Sequence, residues 1–252
     1  MKLLATLGAL TILTISNASD WPSWRGPNHN GTIAGEGYPT SWTTESATWS
    51  VPMPGKGASC PTVWGDQIYI TAPEEDQDVV IKYSTSGEKL WSTALGPATP
   101  GKHKTLGTSC NASPVTDGDA VFVYFKSGTL AALESDGAVR WKKNLVEDFG
   151  PQKLYWDQGC SPILQNNLLI LPRLHGGDSW IAAFDKNSGD IAWKTERNIE
   201  APAENDHGYS TPIPFKHADE DAFLVWCSDQ LTAYTSKNGE LIWSCGGFNE
   251  DA

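Results

Sequence analysis

The chain has 252 residues, of which 39% are apolar, enough for a packed core and too apolar for a disordered chain. Its formal net charge is −12, and so acidic a surface repels nucleic-acid phosphates and anionic lipid. We therefore expect neither a nucleic-acid partner nor attachment to a membrane surface.

The first 18 residues have the pattern of a secretory signal peptide. Lys2 precedes an apolar run from Leu3 to Ile15, and Ser16-Asn17-Ala18 supplies the cleavage site. The run is too short for a comfortable membrane span, no other apolar run approaches spanning length, and no cysteine lies near the cleavage site. We predict an exported protein, periplasmic or extracellular, without a lipid anchor or a transmembrane segment after signal cleavage.

Residues 19–57 form a predicted N-terminal extension. Within it "ATWSVPMPG" (47–55) has the pattern of a single outer β-strand around Trp49, with no companion strands before it. We expect an orphan strand here.

A unit of about 50 residues then recurs four times, which is the dominant feature of the sequence. Each copy ends in a predicted hairpin in which a glycine precedes a tryptophan by four positions. These tryptophans are 50, 52 and 50 residues apart. The pairs are Gly87/Trp91, Gly137/Trp141, Gly189/Trp193 and Gly239/Trp243.

A second predicted hairpin precedes each of these, so every unit supplies four strands. It begins at "SCPTVW", "ASPVT", "CSPIL" and "YSTPIP", and turns through Gly65-Asp66, Asp117-Gly118 and Asn166-Asn167 in the first three copies. In the fourth copy "FKHADED" predicts a longer loop.

Tandem four-stranded antiparallel units are typical of β-propeller blades, which bury their faces by stacking on one another. The fold class is therefore all-β, with blades at 58–95, 111–145, 159–197 and 208–247 within residues 58–252. We expect each repeat tryptophan to fill space between blades and to donate its N–H to a backbone carbonyl. Because the fourth blade has its own last strand, the orphan strand lacks a blade to complete. We thus expect an incomplete propeller with further blades.

The five cysteines, Cys60, Cys110, Cys160, Cys227 and Cys245, lack zinc-binding spacing. Their odd number leaves at least one thiol unpaired within the chain. Buried free thiols are the expectation, with one disulfide as the open alternative.

Candidate binding residues lie in the loops expected at one face of the blades, where function concentrates. They are His103, Asp157, His175, Asp206 and His207. Histidine beside a carboxylate can serve acid–base chemistry or hold a metal, but polar side chains also brace loops. No nucleophile elbow, P-loop or HExxH motif occurs, and we assign no catalytic or metal-binding residue.

The repeats resemble those of pyrroloquinoline quinone (PQQ)-like β-propellers, whose pattern is Ala-x-Asp-x-x-Thr-Gly-x-x-x-Trp. The third copy matches best, and the others lose the aspartate, having Tyr83, Leu133 and Thr235 at or near that position. The opening "DWPSWRGPNHNG" (20–31) is also similar to exported bacterial members. In the third copy the motif positions are Ala183, Asp185, Ser188, Gly189 and Trp193.

The resemblance implies a fold and leaves several functions open. Quinone dehydrogenases of the family use PQQ with calcium and a disulfide between adjacent cysteines, but no Cys-Cys pair occurs here. The family also includes a scaffold of outer-membrane β-barrel assembly. We favour an exported, non-catalytic binding or scaffold module for a protein or another cell-envelope component, with no cofactor. The alternatives are a PQQ- and calcium-dependent alcohol or sugar oxidoreductase and a carbohydrate-binding propeller.

Overall fold

The computed structural model describes residues 20–103, 105, 107–199, 201 and 207–248. The predicted signal peptide and Asp206 lie outside these ranges. Four separate sheets, each with four antiparallel strands in sequence order, make up the structure. The fold class predicted from the repeats is therefore confirmed.

Blade 1 comprises β1 (Thr62–Trp64), β2 (Gln67–Glu74), β3 (Gln77–Ser84) and β4 (Lys89–Pro97). Blade 2 comprises β5 (Val115–Thr116), β6 (Ala120–Tyr124), β7 (Thr129–Glu134) and β8 (Val139–Asn144), followed by the short helix α1 (Leu145–Phe149). Blade 3 comprises β9 (Ile163–Gln165), β10 (Leu168–Arg173), β11 (Trp180–Asp185) and β12 (Ile191–Glu196). Blade 4 comprises β13 (Ile213–His217), β14 (Glu220–Cys227), β15 (Gln230–Thr235) and β16 (Leu241–Gly246).

The fourth blade differs from its prediction in the loop between its first two strands. The sequence "FKHADED" predicts a longer loop, but β13 and β14 extend through it and join by the two-residue turn Ala218-Asp219. Both residues have positive φ, +47° and +68°, as a tight hairpin requires. The loop prediction is wrong because alanine gives no sequence signal of this backbone conformation.

Tryptophan and glycine join consecutive blades at their outer strands. Trp141 of blade 2 donates its Nε1–H to the carbonyl of Lys186 in blade 3 at 2.9 Å, and its ring covers Gly189. A Cβ at Gly189 would lie 2.7 Å from that ring, so the contact requires glycine. The same contact, which we call the Trp–Gly clasp, joins Trp91 to Gly137 and Trp193 to Gly239.

A second set of contacts joins the blades at the start of each first strand. The residue before the strand's proline donates its backbone N–H to the hydroxyl at the same position of the next blade. Cys60 donates to Ser113 Oγ (2.9 Å), Ser113 to Ser161 Oγ (2.9 Å), and Ser161 to Thr211 Oγ1 (3.0 Å). We call this series of contacts the hydroxyl ladder. It fixes the register of neighbouring blades, because each N–H donates to the hydroxyl at the equivalent position of the next blade.

The apolar core lies between the blades. Buried clusters centred on Val121, Phe122 and Phe223 fill the junctions of blades 1 and 2, 2 and 3, and 3 and 4, respectively. A residue's neighbour along the strand faces the other junction, as alternation along a strand requires. Val121 and Phe122 are such a pair.

The N-terminal extension packs along the blades. Trp21 forms a β-bridge with Val63 of β1, and the Pro22 carbonyl accepts the Thr116 N–H, so the segment lies beside the first strands of blades 1 and 2. Trp49 makes a Trp–Gly clasp on blade 1, donating to the Thr85 carbonyl at 2.8 Å and covering Gly87. Residues 47–55 pair with no strand and are not part of a sheet, although Trp49 takes the place of a blade's last-strand tryptophan.

Two expectations about the chain as a whole have different outcomes. The structure forms no disulfide among the five cysteines, all of which it describes, and Cys110, Cys160 and Cys227 are buried.

Further blades stay a prediction. Within the described ranges Trp243 covers no glycine and donates no hydrogen bond. No helix in that part of the chain is long and apolar enough to cross a membrane.

Candidate functional site

One end of the four blades carries the links between blades and the turns between second and third strands. We call this end the loop face. The antiparallel strand order places these connections together and places the first-to-second and third-to-fourth hairpins at the opposite end. His103, Asp157, His175 and His207 all belong to the loop face.

Asp157 braces two links of the loop face. Its carboxylate oxygens each accept the Lys102 backbone N–H at 3.0 Å, and Oδ1 pairs with Lys126 Nζ at 2.5 Å. The side chains of Asp157 and Lys126 are 7% and 11% exposed, so this ion pair is shielded from solvent. A Cβ at Gly107 would lie 2.6 Å from Asp157 Oδ2. The carboxylate is therefore enclosed by the loop that it holds.

Tyr155 and Trp156 are the exposed aromatic residues beside this brace, 55% and 52% exposed. Their rings meet edge to face, with centroids 4.9 Å apart. Backbone hydrogen bonds from both residues reach the link before blade 4: the Tyr155 N–H donates to His207 Nδ1 (3.3 Å) and the Trp156 N–H to the Tyr209 hydroxyl (3.0 Å). We call Tyr155 and Trp156 the aromatic pair.

His103 approaches the aromatic pair from the link before blade 2. Its ring centroid lies 6.4 Å from that of Trp156, and its Nδ1 accepts the Thr105 backbone N–H at 3.3 Å. Its carbonyl accepts the Gly107 N–H at 2.8 Å. His103, Asp157 and His207, which are distant in sequence, thus surround one exposed aromatic surface.

His175 lies apart from this group, in the turn between β10 and β11. It is buried, its N–H donates to Ser179 Oγ (2.9 Å), and its carbonyl accepts that hydroxyl (2.6 Å). Burial lowers the pKa of His175, because desolvation disfavours the imidazolium. A cavity of about 260 Å³ beside it is also lined by Arg197 and Ser228.

Two of the polar side chains at the loop face hold its own loops in place. Asp157 is occupied by a lysine and a backbone N–H, and His207 accepts a backbone N–H, so both brace loops. Among the residues that the structure describes, no three His, Cys, Asp or Glu side chains approach closely enough to hold a metal. The residues described therefore do not fit a calcium–quinone centre, for which the sequence also lacks the adjacent cysteine pair.

Sequence reasoning missed the buried charged side chains, among them Arg173 and Asp78. Arg173 is fully buried and donates to the carbonyls of Leu145 (3.2 Å) and Gly150 (2.6 Å), which fixes α1 on blade 3. The buried carboxylate of Asp78 has no hydrogen-bond partner in the described part of the chain. Burial raises the pKa of Asp78 to about 6, because desolvation disfavours the charged carboxylate. A charged residue at one position of one repeat carries no periodic signal.

Comparison with solved structures shows the fold that the repeats predict. The quinohemoprotein alcohol dehydrogenase from Comamonas testosteroni is 14% identical over 91% of this chain and 41% of its own, with a TM-score of 0.63. Quinohemoprotein alcohol dehydrogenase ADHIIG from Pseudomonas putida HK5 is 14% identical over 78% of this chain and 35% of its own, with a TM-score of 0.57. BamB from Moraxella catarrhalis is 15% identical over 75% of this chain and 48% of its own, with a TM-score of 0.51. The chain spans less than half the length of each, and a likeness at such identity shows the fold alone.

Comparison with family models and curated proteins completes the assignment. A comparison with curated proteins found no match. One family model, described as outer membrane protein assembly factor BamB, matches residues 32–155 and, in an overlapping second match, residues 76–245. Since these matches cover most of the chain, it belongs to this family of PQQ-like β-propeller repeat proteins.

Proposed function

We propose that this chain is an exported, non-catalytic propeller that binds a protein or another cell-envelope component through its loop face. The observation that carries the proposal is that both carboxylate oxygens of Asp157 already have partners within the protein. The carboxylate beside the aromatic pair is shielded and bound to Lys126 and to a backbone N–H, so it is a brace for a binding surface.

The aromatic pair supplies the binding surface itself. Tyr155 and Trp156 are more than half exposed, and two hydrogen bonds to the link before blade 4 hold their backbone in place. Large exposed aromatic residues on a rigid support are typical centres of protein interfaces. The family model's description, outer membrane protein assembly factor, agrees with a role among envelope proteins.

The second candidate is a PQQ- and calcium-dependent oxidoreductase. The reason to consider it is the fold that 91% of the chain, at 14% identity, shares with a quinohemoprotein alcohol dehydrogenase. The loop-face residues described above do not supply a calcium ligand set, and we derive no catalytic step from them.

Titration of the purified protein with PQQ and calcium chloride separates the two candidates. Absorbance reports bound quinone, and reduction of a dye on addition of primary alcohols or aldoses reports turnover. We expect no saturable change in the quinone spectrum and no alcohol- or sugar-dependent dye reduction. Saturable quinone binding with dye reduction would overturn the proposal.

A further inference from the structure

A cavity of about 430 Å³ opens on the loop face beside the β6–β7 turn of blade 2, within the size range of small-molecule sites. Its walls come from the link after β4, the turn between β6 and β7, and the segment from α1 to Gln158. We call it the Trp156 cavity, because the exposed indole of Trp156 forms part of its lining.

The two lysines in the wall of the Trp156 cavity already have hydrogen-bond partners within the protein. Lys126 Nζ contacts Asp157 Oδ1 and the Pro100 carbonyl, each at 2.5 Å. Lys102 Nζ donates to the carbonyls of Leu154 and, at 3.3 Å, Tyr155. Lys126 is paired with the Asp157 carboxylate, and both lysines already donate to main-chain carbonyls, so an anion would compete with partners within the protein. The wall therefore favours a neutral ligand.

The other polar groups in the wall are neutral hydroxyls and amides, from Thr99, Ser127, Gln152 and Gln158. Gln158 is only 3% exposed, and its Nε2 donates to the Cys160 carbonyl. Its Oε1 has no hydrogen-bond partner among the residues that the structure describes. A buried acceptor left without a donor is unfavourable, so a ligand that brings a donor gains affinity.

The remaining wall is apolar. Leu154, Val146 and Pro151 line it together with Trp156, whose ring is held edge to face by Tyr155. A fixed indole offers a flat apolar face next to hydrogen-bonding groups. A ligand that matches both has an apolar face of C–H groups and a rim of hydroxyls that donate and accept.

We propose that the Trp156 cavity binds a neutral saccharide. One sugar ring stacks on the Trp156 indole, and Gln158 turns its buried Oε1 towards the cavity to accept one of the sugar hydroxyls. Trp156 also belongs to the proposed protein-binding surface, but the two proposals are tested separately: sugar binding can fail while the loop face still binds protein, and the reverse.

The test is calorimetric titration of the purified chain with three uncharged oligosaccharides, maltohexaose, cellohexaose and chitohexaose, with polygalacturonate as the charged comparison. We expect saturable binding of at least one neutral hexaose. We also expect Trp156→Ala and Gln158→Leu each to weaken it at least about tenfold, which corresponds to about 1.4 kcal/mol. Trp42→Ala is the matched control, because Trp42 is 77% exposed and lies outside the cavity wall.

Three results would overturn the proposal: no heat from any neutral hexaose at millimolar concentration, tighter binding of polygalacturonate than of the hexaoses, or hexaose binding that Trp156→Ala leaves unchanged. Because Gln158 is buried, its variant is first compared with the unmodified protein by circular dichroism. If that variant does not fold, the exposed Trp156 and Trp42 variants decide the outcome.

Discussion

Trp141 donates its indole N–H to the Lys186 carbonyl at 2.9 Å while its ring lies on Gly189. The tryptophan of one repeat thus packs on the glycine of the next. Gly189 and Trp193, which stand four residues apart in one hairpin, serve two different junctions, to blade 2 and to blade 4. The four-residue spacing between glycine and tryptophan therefore places these two residues at opposite faces of one blade.

A methyl group at Gly189 should disrupt the clasp. Gly189 has φ +74°, and its added Cβ would lie 2.7 Å from the Trp141 ring. We expect Gly189→Ala to lower the free energy of unfolding by about 2–4 kcal/mol, from backbone strain and overpacking together. Urea denaturation followed by circular dichroism measures it.

Gly65→Ala is the control for this substitution. Gly65 also has positive φ (+57°), but a Cβ there has nothing within 4 Å. Its loss should be about 1 kcal/mol, from backbone strain alone. Equal losses in the two variants would show that the contact with Trp141 does not restrict position 189.

Truncation of the tryptophans should have graded effects. Trp141 is 9% exposed, so Trp141→Ala should lower the free energy of unfolding by about 3–5 kcal/mol. Trp243→Ala should lower it by less than about 1 kcal/mol, because no glycine hairpin in the described ranges covers Trp243. The same denaturation assay checks both, and a loss at Trp243 as large as that at Trp141 would contradict the role given to the clasp.

The hydroxyl ladder should depend on the hydroxyl rather than on the size of its side chain. Ser161 Oγ accepts the Ser113 N–H in a buried position, so Ser161→Ala leaves that donor without a partner. We expect a loss of about 1–3 kcal/mol in thermal or urea denaturation. Ser161→Thr retains an acceptor, as Thr211 does in blade 4, and should recover most of the loss. Failure of threonine to recover more than alanine would count against the ladder.

Asp78 should make stability depend on pH. Its pKa rises from the ordinary 3.8 to about 6 in the folded state, so the folded protein binds this proton more tightly than the unfolded chain. The resulting stabilisation is fully present below about pH 4 and is lost as the pH rises through 6. We expect Asp78→Asn to be more stable than the unmodified protein at pH 7.5, with the difference shrinking towards pH 4.

Asp117→Asn is the control of opposite sign. Burial acts to raise the pKa of Asp117, but its ion pair with Lys186 (2.7 Å) and the N–H groups of Asp119 and Ala120 lower it overall. The stability from Asp117 is present above its unfolded pKa and lost as the pH falls, so Asp117→Asn should be destabilised at pH 7.5. The measurement is urea denaturation between pH 4 and 7.5. A pH slope unchanged by Asp78→Asn would exclude the raised pKa.

The blades could be predicted from sequence because their determinants recur. Trp141 and Gly189 belong to a pattern repeated four times, and each copy supports the others. The turn at Ala218-Asp219 was predicted wrongly, because its two positive φ values are imposed by the pairing of β13 with β14 and not by turn residues. A repeated pattern predicts structure only at the positions where the copies share the same residues.

The loop face was predicted only as a set of residues. The bracing role of Asp157 depends on Lys126, 31 residues away in the turn between β6 and β7, and on Lys102, 55 residues away in the link before blade 2. Gln158 has no motif to mark it, since its importance comes from one unpartnered oxygen in a wall built by two links and one turn. Such contacts follow from how the blades pack, which no local pattern contains.

Site-specific photo-cross-linking tests the loop face as a binding surface most directly. Benzoylphenylalanine replaces Tyr155 on the loop face or, as the control, the exposed Lys237 in the hairpin at the opposite end. After illumination of the cell envelope, we expect a discrete cross-linked envelope component from position 155 and none from position 237. Cross-links from position 237 alone, or equally from both positions, would contradict the assignment of binding to the loop face.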